Sequence, residues 1–111
     1  MQKDDALLYD VLESARLAVS YVQDSSIDDF LANTQLQDAV IRRIEIIGEA
    51  ARHISEQTRA SFPNLPWVDM ADMRNFLIHQ YGEVDAHVVW DTVKIDLPPL
   101  IAELESIADR E

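Results

Sequence analysis

Thr-Gln-Leu-Gln-Asp-Ala-Val-Ile-Arg-Arg-Ile-Glu-Ile-Ile-Gly-Glu-Ala-Ala-Arg-His-Ile, residues 34–54, is the stretch on which the fold turns. Leu36, Val40, Ile44, Ile47, Ala51 and Ile54 recur every three or four residues, the period of one face of an α-helix. Thr34 with Gln37 three residues later has the capping-box pattern, in which each side chain satisfies a free amide of the first turn. The pattern predicts a long helix from Gln35 to about Arg59. Ile41 and Gly48 lie one heptad apart on a neighbouring face. A glycine inside a helix costs about 1 kcal/mol relative to alanine, so Gly48 implies close approach by another helix.

Working outward, the same period continues in both directions. Leu8, Leu12, Ala15, Val19 and Val22 form a stripe over roughly residues 4–23, broken by Asp24-Ser25-Ser26. Ser26, followed by Asp29, caps a short turn through Leu31. Phe62-Pro63-Asn64-Leu65-Pro66 reads as a loop, since proline disfavours helix for the residue before it. Pro66 then opens a helix at its first position, where no amide is needed, running from Trp67 to near His79 and stopping by Gly82. Asp85 caps the last long segment, with Val84 and Val89 spaced as a hydrophobic staple. Val89, Val93, Leu97, Leu100 or Ile101, Leu104 and Ile107 carry the last stripe. Pro98 and Pro99 require a kink or restart near Asp96. The expected fold is all-α: one domain over residues 1–111, an antiparallel bundle of four main helices with a kinked or broken last helix.

Composition narrows the class. The 111 residues suffice for one domain. Cysteine is absent, which removes disulfides, thiolate metal sites and a cysteine nucleophile. Met1–Asp10 has one lysine against three aspartates and no apolar run, unlike a signal peptide. No apolar stretch approaches the length of a membrane span, so the expected location is the cytoplasm. The net charge of −12 is the wrong sign for a generic nucleic-acid binder. Its distribution is uneven: residues 40–82 hold five basic and five acidic side chains, so the flanks carry all of the excess. Contacts to phosphate belong in the middle of the chain.

That middle contains Met73-Arg74-Asn75-Phe76-Leu77-Ile78-His79-Gln80-Tyr81-Gly82. Arginine and histidine together are a minimal kit for RNA cleavage without metal. Histidine moves a proton near neutral pH, and arginine holds the phosphate and offsets charge building on it. On an unbroken helix, Arg74 and His79 stand about 140° apart. They converge only if the helix ends near His79 or a second chain supplies one of them. One histidine does one proton transfer at a time, so two copies of the motif across a dimer would supply both. The plain alternative makes Arg74 a surface residue pairing with Asp72 or Asp69, and His79 a helix C-terminal cation. Spacing alone leaves both open.

The motif Arg74, four residues, His79, one residue, Tyr81 resembles the active-site signature of HepT-like HEPN ribonucleases. So do Ala39–Ala50 with its Ile-Gly-Glu-Ala core, Pro66-Trp67 ahead of the motif helix, Val89-Trp90, and Asp96-Leu97-Pro98. The likeness covers roughly residues 5–105. It implies the toxin of a bacterial toxin–antitoxin pair: a homodimeric, metal-independent endoribonuclease without cofactor. Arg74 would be its phosphate clamp, His79 its general acid or base, and Asn75 a supporting residue. It further implies an MntA-like nucleotidyltransferase antitoxin that silences the toxin by adding AMP to Tyr81. Phosphates there would put negative charge where RNA must bind. One departure is Asp72, where the family carries a small glycine; a carboxylate there opposes phosphate binding. The rival reading is therefore a HEPN dimer without cleavage, kept as a binding partner of a nucleotidyltransferase. A purely structural helical dimer would explain the stripes and not the motif.

His53 and His87 are isolated and read as surface histidines, and no set of His, Asp or Glu has credible metal-site spacing. Trp67 and Trp90 sit in apolar helical patterns and read as core anchors. Glu49 is placed to meet Arg74 across the bundle as a structural ion pair.

Overall fold

Asn33 starts the long helix, one residue earlier than the Thr34 pattern suggests: its side-chain oxygen accepts from the Leu36 amide at 3.0 Å. Gln37 does not complete a box with Thr34. Its amide donates instead to the carbonyls of Phe30 and Leu31, at 2.9 and 3.2 Å, closing the end of the preceding short helix. A computed structural model gives the fold over residues 2–77 and 84–110, and its side chains over 3–73 and 84–108. Its elements are α1 (Gln2–Tyr21), α2 (Ile27–Leu31), α3 (Thr34–His53), α4 (Glu56–Ser61), α5 (Trp67–Leu77), α6 (Ala86–Asp91), a π-helical turn (Thr92–Asp96) and α7 (Leu97–Arg110). The fold is the expected all-α antiparallel bundle. Its four main rods are α1, α3, α5 and the last rod, in which α6, the π-turn and α7 follow without a gap, with α2 and α4 as short connectors.

α3 is the central rod, packed on α1, α2, α5 and α6, while α7 lies along α1. Val40, Ile44, Ile47, Ala51 and Ile54 are buried as the stripe requires, and Leu36 is half-buried against the same core. Gly48 is buried within the single chain, so its missing side chain is explained by packing inside one protomer and gives no separate argument for a dimer. Ser26 and Asp29 form the expected box at the start of α2, which seats Phe30, fully buried, with its ring 5.4 Å from that of Trp90 on α6. Trp90 also takes Lys94 over its ring, 4.9 Å from the centroid. Asp85 caps α6 by accepting from the His87 amide at 2.9 Å. Val89 is fully buried and Val84, ahead of the cap, is 40% exposed.

The long helix is shorter than its stripe. It ends at His53, and Ser55 caps a separate helix, α4. The break comes from a distant residue. Asp4, in the first turn of α1, is only 2% exposed. Its carboxylate accepts from the Ser55 hydroxyl at 2.6 Å, the Ser55 amide at 3.2 Å and the Thr58 hydroxyl at 2.5 Å. The Ser55 hydroxyl, then that of Thr58, hold the Asp4 carboxyl below its usual 3.8, against the upward pull of burial. A carboxylate with a lowered native pKa stabilises the fold at pH above the unfolded value, and that contribution fades as pH falls through the native one. Asp4→Asn should therefore melt several degrees below wild type at neutral pH, with the gap closing below about pH 3.8. Melting curves of the two proteins that stay parallel down to acid pH would contradict this role for Asp4.

The proline restart is where expected. The backbone widens into a π-turn over Thr92–Asp96, the Leu97 amide donates to the Thr92 carbonyl, and Pro98 and Pro99 fall in the first turn of α7. The π-turn runs straight into α7, so the widened backbone accommodates the two missing amides. Leu100 takes the core position and Ile101 packs half-buried beside it.

Candidate active site

α5 is the helix that carries the motif, and three features of the chain set it in place. Pro66 precedes it and accepts the Met70 amide at 2.9 Å. The Trp67 indole donates to the Phe62 carbonyl at 3.0 Å, and the Arg59 guanidinium lies over that ring, 5.8 Å from its centroid. Met70 and Met73 are buried against the core, one turn apart on the face that meets α3. Arg74 and Asn75 follow on the backbone of α5. Their side chains, and His79 and Tyr81 entirely, lie outside the described residues. The convergence of Arg74 with His79 therefore stays an expectation. Glu49 is exposed on α3, with His53 as its described neighbour at 3.9 Å; its pairing with Arg74 falls outside the described side chains.

The two flanks of α5 differ in charge. On the side of the π-turn, Pro66, Asp69, Met73, Thr92, Ile95 and Asp96 line a groove of about 430 Å³. Burial, then the neighbouring Asp69 and Asp91, raise the Asp96 carboxyl above its usual value, so this flank disfavours further negative charge. On the side of α3, Arg52 donates from Nε to the Ala71 carbonyl at 3.2 Å. Sequence reasoning missed that contact, because nothing in local spacing links residues nineteen apart. Among the described residues no group of three or more His, Asp or Glu is placed to hold a metal ion. No helix among them is long and apolar enough to cross a membrane.

The described fold is an all-α bundle, and the sequence holds Arg74, His79 and Tyr81 at Arg-x4-His-x-Tyr spacing. The comparisons name the family: residues 11–107 match the model of the Ribonuclease HepT-like family, and the chain belongs to that family. Among its relatives, a Methanocaldococcus jannaschii protein provisionally named an RNase is 43% identical over 109 residues, 96% of this chain and 100% of its own length. A "probable ribonuclease HepT" of Thermococcus cleftensis is 41% identical over 100 residues, covering 90% of this chain and 91% of that one. A second Methanocaldococcus jannaschii protein, named as a gamma-glutamylcyclotransferase and provisionally as an RNase, is 43% identical over 98% of this chain and 50% of its own length. No solved structure matches the chain.

Proposed function

We propose that this chain is the cytoplasmic toxin subunit of a toxin–antitoxin pair, a homodimeric endoribonuclease that needs no metal and is silenced by AMP addition to Tyr81. The observation that carries the reading is the family match over residues 11–107, with Arg74, His79 and Tyr81 all present at the motif spacing. The RNA 2′-hydroxyl oxygen attacks the adjacent phosphorus as one histidine removes its proton. The P–O5′ bond breaks, and the 5′-oxygen leaves as a hydroxyl with a proton from the second copy's histidine. The product ends are a 2′,3′-cyclic phosphate and a 5′-hydroxyl. Arg74 binds the phosphate and offsets the charge that builds on it, and Asn75 supports that site. The purified chain should cleave RNA in excess EDTA and leave these ends; an absolute requirement for added Mg²⁺ would overturn the reading. The rival, a cleavage-silent HEPN dimer that binds a nucleotidyltransferase, is favoured by the net charge of −12 and by Asp72; it predicts no cleavage under any condition.

Control at Tyr81 has its own test. The phenol oxygen attacks the α-phosphorus of ATP on an MntA-like nucleotidyltransferase, pyrophosphate leaves, and the tyrosine proton passes to a base of that enzyme. The attached phosphate then competes for Arg74 and His79. Co-expression with the partner should add AMP to the peptide containing Tyr81, seen by mass spectrometry, and abolish cleavage. Tyr81→Phe should remain active beside the same partner. Equal silencing of Tyr81→Phe and wild type would show that simple complex formation, rather than modification, inhibits the toxin.

A further inference from the structure

We infer that Arg52, at the end of α3, is a second phosphate-binding residue that positions the RNA strand beside Arg74. The inference rests on the ribonuclease reading above and extends it to a residue outside the motif. Arg52 is exposed, yet its Nε is fixed on the carbonyl of Ala71. Ala71 lies three residues before Arg74 on α5, so the two positions are neighbours on one side of the helix, about 4.5 Å apart along its axis. A guanidinium carries five N–H donors. The bond from Nε uses one, and among the described residues neither terminal amino group has a further partner and no carboxylate pairs with Arg52.

The other cations of the middle stretch are committed or remote. Arg59 lies over Trp67 and donates to the Ala51 carbonyl at 2.7 Å. Arg42 and Arg43 sit ten and nine residues back along α3, roughly 14–15 Å away along its axis. The opposite flank of α5 carries Asp69 and Asp96 and repels phosphate. On the α3 side the exposed Glu49 pairs with His53 at 3.9 Å, and a strand whose reacting phosphate sits at Arg74 would meet Arg52 there at a neighbouring phosphate. A cation at a helix C-terminus also suits the helix dipole. That role would not change how RNA binding responds to salt.

Salt dependence separates the two roles. A fluorescently labelled single-stranded RNA is titrated by anisotropy against the His79→Ala chain, which leaves the RNA intact, between about 50 and 200 mM salt. Each lost phosphate contact lowers the slope of log affinity against log salt by about 0.7 for a single strand. Arg52→Gln, which can still donate to the Ala71 carbonyl, should lose about that much slope and several-fold affinity at the lower salt. Arg52→Lys, which keeps the charge, should retain most of both, and it serves as the folded control. In the cleaving protein, Arg52→Gln should raise KM more than it lowers kcat. An unchanged slope in folded Arg52→Gln overturns the assignment, even if cleavage falls. If the wild-type chain cleaves nothing, the ribonuclease reading fails and the slope still decides on Arg52; RNA that does not bind the parent chain at all overturns both.

Discussion

Alanine in place of His79 is expected to slow RNA cleavage by about 10²–10⁴-fold, the usual contribution of a positioned proton-transfer group. Arg74→Ala should cost about 10²–10³-fold, as for loss of one donor to developing charge. Single-turnover rates on a defined RNA, in EDTA, would measure both, and in cells both variants should relieve the growth arrest caused by the unpartnered wild-type chain. If the site is shared across a dimer, light scattering should give twice the 12.7 kDa chain mass. Mixing Arg74→Ala with His79→Ala chains should then restore a small part of the activity, because each heterodimer brings one Arg74 and one His79 together but lacks the second proton-transfer group. Full activity in His79→Ala would end the catalytic assignment. A fully active monomer would end the shared-site picture and leave the assignment of His79 standing.

The second large effect is on stability. Phe30→Ala should cost about 3–5 kcal/mol, the range for a buried aromatic cut to alanine, against a total of about 5–15 kcal/mol for a domain. Phe30 is fully buried although it belongs to a five-residue helix. Its ring meets Trp90, while its carbonyl accepts from Gln37, so one short turn joins α3 to α6. Urea unfolding followed by circular dichroism would measure the loss. A change under about 1 kcal/mol would mean that the α2 turn can detach without disturbing the bundle.

Most of the helical rods were legible because burial on one face imposes a period that survives in the residue order. Val40, Ile44, Ile47 and Ala51 announce α3 in this way. The same logic hid its end. Ile54 still falls on the buried face, so the stripe runs on while the backbone stops. The stop is made by Ser55, held by an aspartate fifty-one residues away, a partnership no local window contains. The start was blurred for a related reason. Asn33 and Thr34 are both good caps, and only the competing bonds from Gln37 to the α2 carbonyls decide between them. Of the candidate site, residue spacing alone placed an arginine and a histidine near one helix end. The roles of Arg74, Asn75, His79 and Tyr81 came from likeness to a family, because convergence of side chains is a property of three dimensions. Arg52 had no local signature at all.

The π-turn at Thr92–Asp96 governs how freely the last third of the chain can change length. A π-turn takes in more residues per revolution than an α-turn, since its amides reach back five residues rather than four. That slack lets Val89, Val93 and Leu97, spaced by fours, share one buried side before the stripe resumes through Leu100, Leu104 and Ile107. Deleting one residue from the turn would shorten this bookkeeping by about 100° of rotation, carrying the buried side of α7 away from α1. The prolines would also shift toward the interior of an unbroken helix, where each removes a backbone bond and crowds the turn before it. The segment should thus accept changes of side chain far more readily than a change in residue number, and related sequences should keep its length even where its composition drifts.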